Sequence, residues 1–163
     1  MANASSRVIG PAAFATSAGI FAVHYGGRAM RDALFLSRFP VTALPVMVMT
    51  TAVVSLAFAY LVTRPMVRWG PGRVIPVAFA ISAGLLLLEW LIAIWSQTAT
   101  AVLVYLHAGV FGALLISGFW TILSERLDPR SAKRQLGQVT AAGTLGGLAG
   151  GLGAASLAHL LPL

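Results

Sequence analysis

His24, Arg28, Arg31 and Asp32 fall at i, i+4, i+7 and i+8, the spacing that lines side chains along one face of a helix. Guanidinium groups sharing a face bind phosphate or carboxylate in a bidentate manner, so the chemistry on offer is capture of an anion. Arg28 and Asp32, one helical turn apart, are expected to form an ion pair, leaving the charge of Arg31 for a ligand. The alternative is a first helix that ends near Gly27 and leaves all four groups solvated at the surface. Against it, the segment after Asp32, "ALFLSRFPVTALP", is apolar again. Glu89, inside "LLLLEWLIAIW", is the other acidic group within an apolar run. A carboxylate in lipid must be neutral, paired or turned to a cavity. Its candidate partners are Arg28, Arg31 or a helix outside this chain. Its candidate roles are substrate binding and proton coupling.

No other constellation suggests chemistry. The histidines, His24, His107 and His159, are scattered and lack metal-ligand spacing. No nucleophile has an evident base, there is no cysteine, and no phosphate-cradling glycine loop occurs. The residues therefore predict neither an enzyme nor a bound metal or cofactor.

These side chains need elements to hold them, and the composition says what kind. The chain has 163 residues, of which 58% are hydrophobic and only 9% charged, with a mean hydropathy of +0.88. Soluble domains carry about a quarter charged residues, so an integral membrane protein is predicted. The pI of about 11.4 does not imply a nucleic-acid partner, because the basic residues lie in short clusters between apolar runs, as topology signals do. A hydrocarbon core about 30 Å thick needs roughly 20 helical residues. Continuous apolar segments of that length run over about 8–36, 41–63, 74–95, 99–123 and 136–161. They predict an all-α, polytopic bundle of about five transmembrane helices forming a single domain over 1–163. The opening, "MANASSRVIGPAAFATSAGIFAV", mimics a signal peptide, but its apolar run continues without a small-x-small cleavage site. It is read as the first membrane helix.

Eight of the eleven Lys/Arg fall at one end of these helices, which the positive-inside rule makes cytoplasmic, together with the N-terminus. Trp90 and Trp95 suit an interfacial belt at the opposite surface. Two basic connections, "TRPMVRWGPGR" and "SERLDPRSAKR", join helices on the cytoplasmic side. In the first, Pro and Gly are expected to break the helix. In the last segment Gly143, Gly147 and Gly151 recur every fourth residue, with Gly146 and Gly150 on an adjacent line. A stripe without side chains allows close backbone approach to a neighbouring helix.

Two stretches carry a family resemblance: "RDALFLSRFPVTALP", and "GALLISGFWTILSERLDPRSAKRQLGQVTAAGTLGGLAGG". Together they resemble the N-terminal part of the ATP:ADP antiporter family, which is related to the major facilitator superfamily. The family's basic-Asp pair at the end of the first helix is matched by Arg31 and Asp32. Its aromatic fourth helix and Ala-Lys-Arg turn are matched by Phe119, Trp120 and Ala132, Lys133, Arg134. The first basic connection also resembles the loop that acts as a cytoplasmic gate latch in the superfamily. Two positions depart from the nucleotide exchangers: Gly109 stands where they have an acidic residue, and Thr144 where they have an asparagine. Family members have roughly twelve helices in two halves with the substrate site between them, so the resemblance implies an incomplete transporter.

What it implies is transport of an anionic solute, nucleotides such as ATP included, by the N-terminal half of a secondary transporter in the bacterial inner membrane. Arg28, Arg31, Asp32 and Glu89 would form the substrate site. Arg68, Arg73, Lys133 and Arg134 would be gate contacts, and a second half or a homo-oligomer would be the partner. The competing expectation is a non-transporting membrane anchor or assembly module of the same fold, with the Gly143, Gly147, Gly151 stripe as its interaction surface.

Overall fold

The computed structural model of the chain describes residues 11–126 and 132–160. They form α1 (Pro11–Leu36), a short 3-10 turn (Val41–Ala43), α2 (Leu44–Trp69), α3 (Pro71–Ala93), α4 (Gln97–Arg126) and α5 (Ala132–Leu160). There is no strand among the described residues. The apolar, all-helical architecture follows from closing every backbone hydrogen bond within a segment, the requirement that lipid imposes.

Three stretches are long and apolar enough to cross a membrane: Val41–Trp69, Pro71–Ala93 and Gln97–Glu125, of 29, 23 and 29 residues. This is fewer than the five spans predicted. α1 loses apolar character over His24 to Asp32, and glycine-rich α5 has too few large side chains. The outward faces of α2 and α3 agree with a lipid solvent: Leu56, Leu61, Leu87 and Val53 are all about two-thirds exposed or more, which water would not tolerate as a continuous surface. Trp90 and Trp95 also face outward.

The breaks between helices fall near the predicted ones, but that from α2 to α3 is much tighter. α1 ends at Ser37–Pro40, where Pro40 takes an extended conformation (φ −66°, ψ 153°) and cannot donate to a further turn. The connection from α2 to α3 is a single residue. Pro65 does not end α2 but lies inside it, since within a long apolar helix only one hydrogen bond is forgone and neighbouring groups compensate. Gly70, at φ 76° and ψ 157°, makes the turn. That region is essentially closed to residues with a Cβ, and Pro71 then starts α3 with its φ already helical. Thus "TRPMVRWGPGR" is mostly helix, contrary to the expected loop.

α4 is the centre of the bundle, packing against α1, α2 and α3. It has three notches, each used by a different neighbour. A Cβ at Gly109 would overlap the Thr51 methyl of α2, one at Gly112 would press on the His24 ring of α1, and one at Gly118 would overlap Ile75 of α3. A cluster of Phe35, Met47 and Tyr105 closes the end of the bundle where α1 meets α2. Phe35 stacks on Phe39, with 4.7 Å between ring centres, and meets Tyr105 at a tilt, at 5.1 Å.

α5 packs along α1. Ser17 Oγ donates to the Val139 carbonyl at 2.9 Å, fully buried. The closest approach is not on the expected stripe but on the adjacent line, where a Cβ at Gly146 or Gly150 would overlap the carbonyl of Ala18 or Ala22. Gly143 and Gly147 lie under the rings of Phe21 and Tyr25. A Cβ at Gly151 would meet nothing within 4 Å.

Candidate functional site

α1 does not stop at Gly27. It continues because Phe35, two turns beyond Arg28, is drawn into the Phe35–Met47–Tyr105 cluster. Arg28, Arg31 and Asp32 are therefore helical residues beside α4 rather than members of a solvated loop.

Arg31 is gripped from two directions. Its Nε donates to Asp32 Oδ1 at 2.9 Å, and its guanidinium carbon lies 4.2 Å from the centre of the Tyr105 ring, a cation–π contact. Its side chain is 11% exposed, against 48% for Asp32. The expected Arg28–Asp32 pair is thus corrected: Asp32 is paired with its chain neighbour, because Tyr105 pulls the Arg31 guanidinium inward and leaves its Nε facing the carboxylate. Arg28 turns outward, and no hydrogen bond or ion pair engages it among the described residues. The roles that spacing predicts for the two arginines are exchanged.

A cleft of about 380 Å³ opens between α1 and α4, lined by His24, Arg28 and Arg31 on one side and Ala108, Gly109, Ala113, Ile116 and Ser117 on the other. The α4 wall is built of small residues, so the basic groups of α1 face open space. Gly109 is decisive here: a Cβ on it would overlap Thr51 and stand 3.5 Å from Arg31 Nη1. The space a side chain here would fill is taken by Thr51 of α2, and among the described residues no carboxylate of α4 pairs with Arg31.

Glu89 does not join this cleft, and neither Arg28 nor Arg31 is its partner. It is buried between α3 and α4, 6% exposed, with Oε1 2.9 Å from His107 Nδ1. His107 Nε2 lies 2.8 Å from Ser82 Oγ. Ser82 and Glu89 are seven residues apart on one face of α3, and the imidazole of α4 spans the two turns between them. Glu89 Oε2 has no hydrogen-bond partner. The Ser–His–Glu order is that of a nucleophile, a base and its orienting acid, an arrangement the scattered histidines had not suggested. Its one signal in the sequence is the pair of polar residues at i and i+7 in otherwise apolar α3. That the ring of His107 bridges them depends on how α4 is rotated.

Of the expected gate contacts, Arg68 sits at the C-terminal end of α2 with its guanidinium 5.8 Å from the Trp69 ring centre. Arg73 is in the first turn of α3. With Trp69 it borders an apolar groove of about 560 Å³ walled by Phe58, Val62, Val74, Ala78 and Phe111. The side chains of Lys133 and Arg134 lie outside the described residues, although both positions are in the first turn of α5 rather than in a turn before it. No group of three or more metal-ligating side chains occurs among the described residues.

No family model, curated protein or solved structure matches the chain.

Proposed function

We propose that the chain is the N-terminal half-bundle of a secondary transporter for an anionic solute, of the kind found in ATP:ADP antiporters and the wider major facilitator fold. In this reading all five helices cross the membrane, with the N-terminus cytoplasmic. The observation that carries it is the α1–α4 cleft: two arginines and a histidine face a wall of small residues, with Arg31 oriented by Asp32 and Tyr105 and Arg28 uncommitted. Intramembrane charge turned to a cavity marks a solute pathway. Ligand pockets run from about 300 to 1,000 Å³, so a cleft of about 380 Å³ suits a phosphate or carboxylate group. The remainder of a nucleotide would extend toward a second half or a second copy.

The glycine stripe counts against the assembly-module reading. Phe21 and Tyr25 of the same chain cover Gly143 and Gly147, which leaves only Gly151 of the stripe open to a partner.

The test is thermal unfolding of the purified chain in lipid nanodiscs, with and without inorganic phosphate, a dicarboxylate, ADP and ATP. A ligand at a hundred times its Kd should stabilise the wild type by about 2.7 kcal/mol. Arg28→Ala, which removes an outward-facing side chain, should fold normally and respond less. Arg31→Lys, which keeps the charge but loses the planar fork, should abolish the response. No shift with any of these anions in a folded wild type would overturn the proposal.

A further inference from the structure

The α3–α4 interface contains a second polar site that anion capture does not use. We propose that Glu89 and His107 together bind one exchangeable proton, whose position the Ser82 hydroxyl couples to the tautomer of the His107 ring.

The argument rests on charge and burial. With one proton between them, the pair is either a carboxylic acid beside a neutral imidazole or a carboxylate beside an imidazolium. Both arrangements have no net charge, the only inexpensive condition for groups 2.9 Å apart whose side chains are each 8% exposed. Removing the proton leaves a buried anion, and adding another leaves a buried cation. The site therefore holds a single proton, and any structural change that alters its burial changes its hold on that proton.

The environment of the pair supports this. Among the described residues, the charged or titratable groups that α1 brings toward α4 are His24, at Gly112, Arg28, in the cleft beside Gly109, and Arg31 with its partner Asp32, at Tyr105 and Gly109. At about 100° per residue these positions lie on the other flank of α4 from His107. Arg38 reaches only Gln97, at the start of α4. From α2 come Thr51 and Phe58, neither of which titrates, with Phe58 packed on Phe111. Phe111 in turn meets the His107 ring edge-on at 5.0 Å between centres. Among the described residues, no arginine or lysine pairs with Glu89 on this flank. Its Oε2, more than nine-tenths buried and without a partner, is an oxygen that can carry the shared proton. Ser82 Oγ can donate to Nε2 of the neutral ring or accept from the imidazolium. Proton position and His107 tautomer are thereby linked over two turns of α3, about 10 Å at 1.5 Å per residue.

A nucleophilic role for Ser82 fits less well. Ser82 is 8% exposed and lines neither the α1–α4 cleft nor the apolar groove, and its position inside α3 commits its backbone to the helix, leaving no oxyanion donors beside it.

The experiment uses the whole chain in lipid nanodiscs and no anion, so its outcome is independent of the cleft. Infrared difference spectra follow protonated carboxyl groups while nitrogen-15 NMR follows the histidines, from about pH 4 to about pH 10, a range that brackets free Glu and His. The chain has four acids and three histidines, so assignment by substitution is direct. The proposal expects the carboxyl band and the His107 signals to report one proton between them at every pH until both change together. Glu89→Gln, which keeps the shape, should remove the band and move the His107 midpoint. Ser82→Ala should retain titration but alter the His107 tautomer signals. Separate midpoints for Glu89 and His107, or spectra that show an ionised Glu89 beside a neutral His107 throughout the range, would overturn the proposal. So would fluorophosphonate labelling of Ser82 in the wild type that is lost in His107→Asn, which would make the constellation a nucleophile.

Discussion

Gly150 and Gly151 are adjacent in one helix, yet the structure assigns them opposite sensitivities to the same substitution. In Gly150→Ala the new Cβ would overlap the Ala22 carbonyl, and backbone cannot rotate away as a side chain can. α1 and α5 must separate, and overpacking of this kind costs about 1–3 kcal/mol. Separation also stretches the Ser17–Val139 hydrogen bond, and an interhelical bond in lipid is worth about 0.6–2 kcal/mol. Against this, replacing glycine inside a helix returns roughly 0.5–1 kcal/mol. The net expectation for Gly150→Ala is a loss of about 1–4 kcal/mol. Gly151 meets nothing within 4 Å, so Gly151→Ala should gain roughly 0.5–1 kcal/mol from helix propensity alone. Gly143→Ala belongs between them, since its Cβ would lie 3.0 Å from the Phe21 ring, which can tilt. The assay is reversible unfolding in mixed micelles titrated with denaturing detergent, read by circular dichroism. The order of midpoints should be Gly151→Ala, wild type, Gly143→Ala, Gly150→Ala, from most to least stable. If Gly150→Ala were neutral, or Gly151→Ala as damaging as Gly150→Ala, the α1–α5 seam would not run where the structure places it.

Two further substitutions probe the glycine positions that shape the bundle. Gly70→Ala should destabilise by about 1–3 kcal/mol in the same unfolding assay, because φ 76° with ψ 157° is a conformation that a Cβ opposes. Gly109→Ala should cost about 1–3 kcal/mol by overpacking against Thr51, and should do so only while the Thr51 methyl is present. Thr51→Ser deletes that methyl but keeps the hydroxyl that donates to the Met47 carbonyl at 2.8 Å. A double-mutant cycle should therefore return a favourable coupling of at least about 1 kcal/mol, and additivity would refute the contact.

Much of the architecture is legible in the sequence. Five helices, the stop at Pro40 and the turn near Gly70 can be read from run lengths and breakers, because in lipid the backbone has few alternatives to helix. The predicted spans miss the end of α2 because Pro65 reads as a breaker, while a long apolar helix accommodates it. The site is legible only in its ingredients. That Arg28, Arg31, Asp32 and Glu89 needed compensation followed from their setting. Which group compensates each did not, as the exchange of roles between Arg28 and Arg31 and the pairing of Glu89 with His107 show.

The sequence by itself determined the solvent, the number of helices and the list of polar groups that apolar surroundings could not leave unattended. Tertiary structure alone decided that Tyr105 would hold Arg31, that His107 would bridge Ser82 and Glu89, and that Gly146 and Gly150 would form the α1–α5 seam. The physical reason is that helical periodicity specifies which residues share a face, while contacts between helices depend on how each is rotated about its axis. In this bundle that rotation is set by where the glycine notches of α4 and α5 admit Thr51, His24, Ile75 and the backbone of α1.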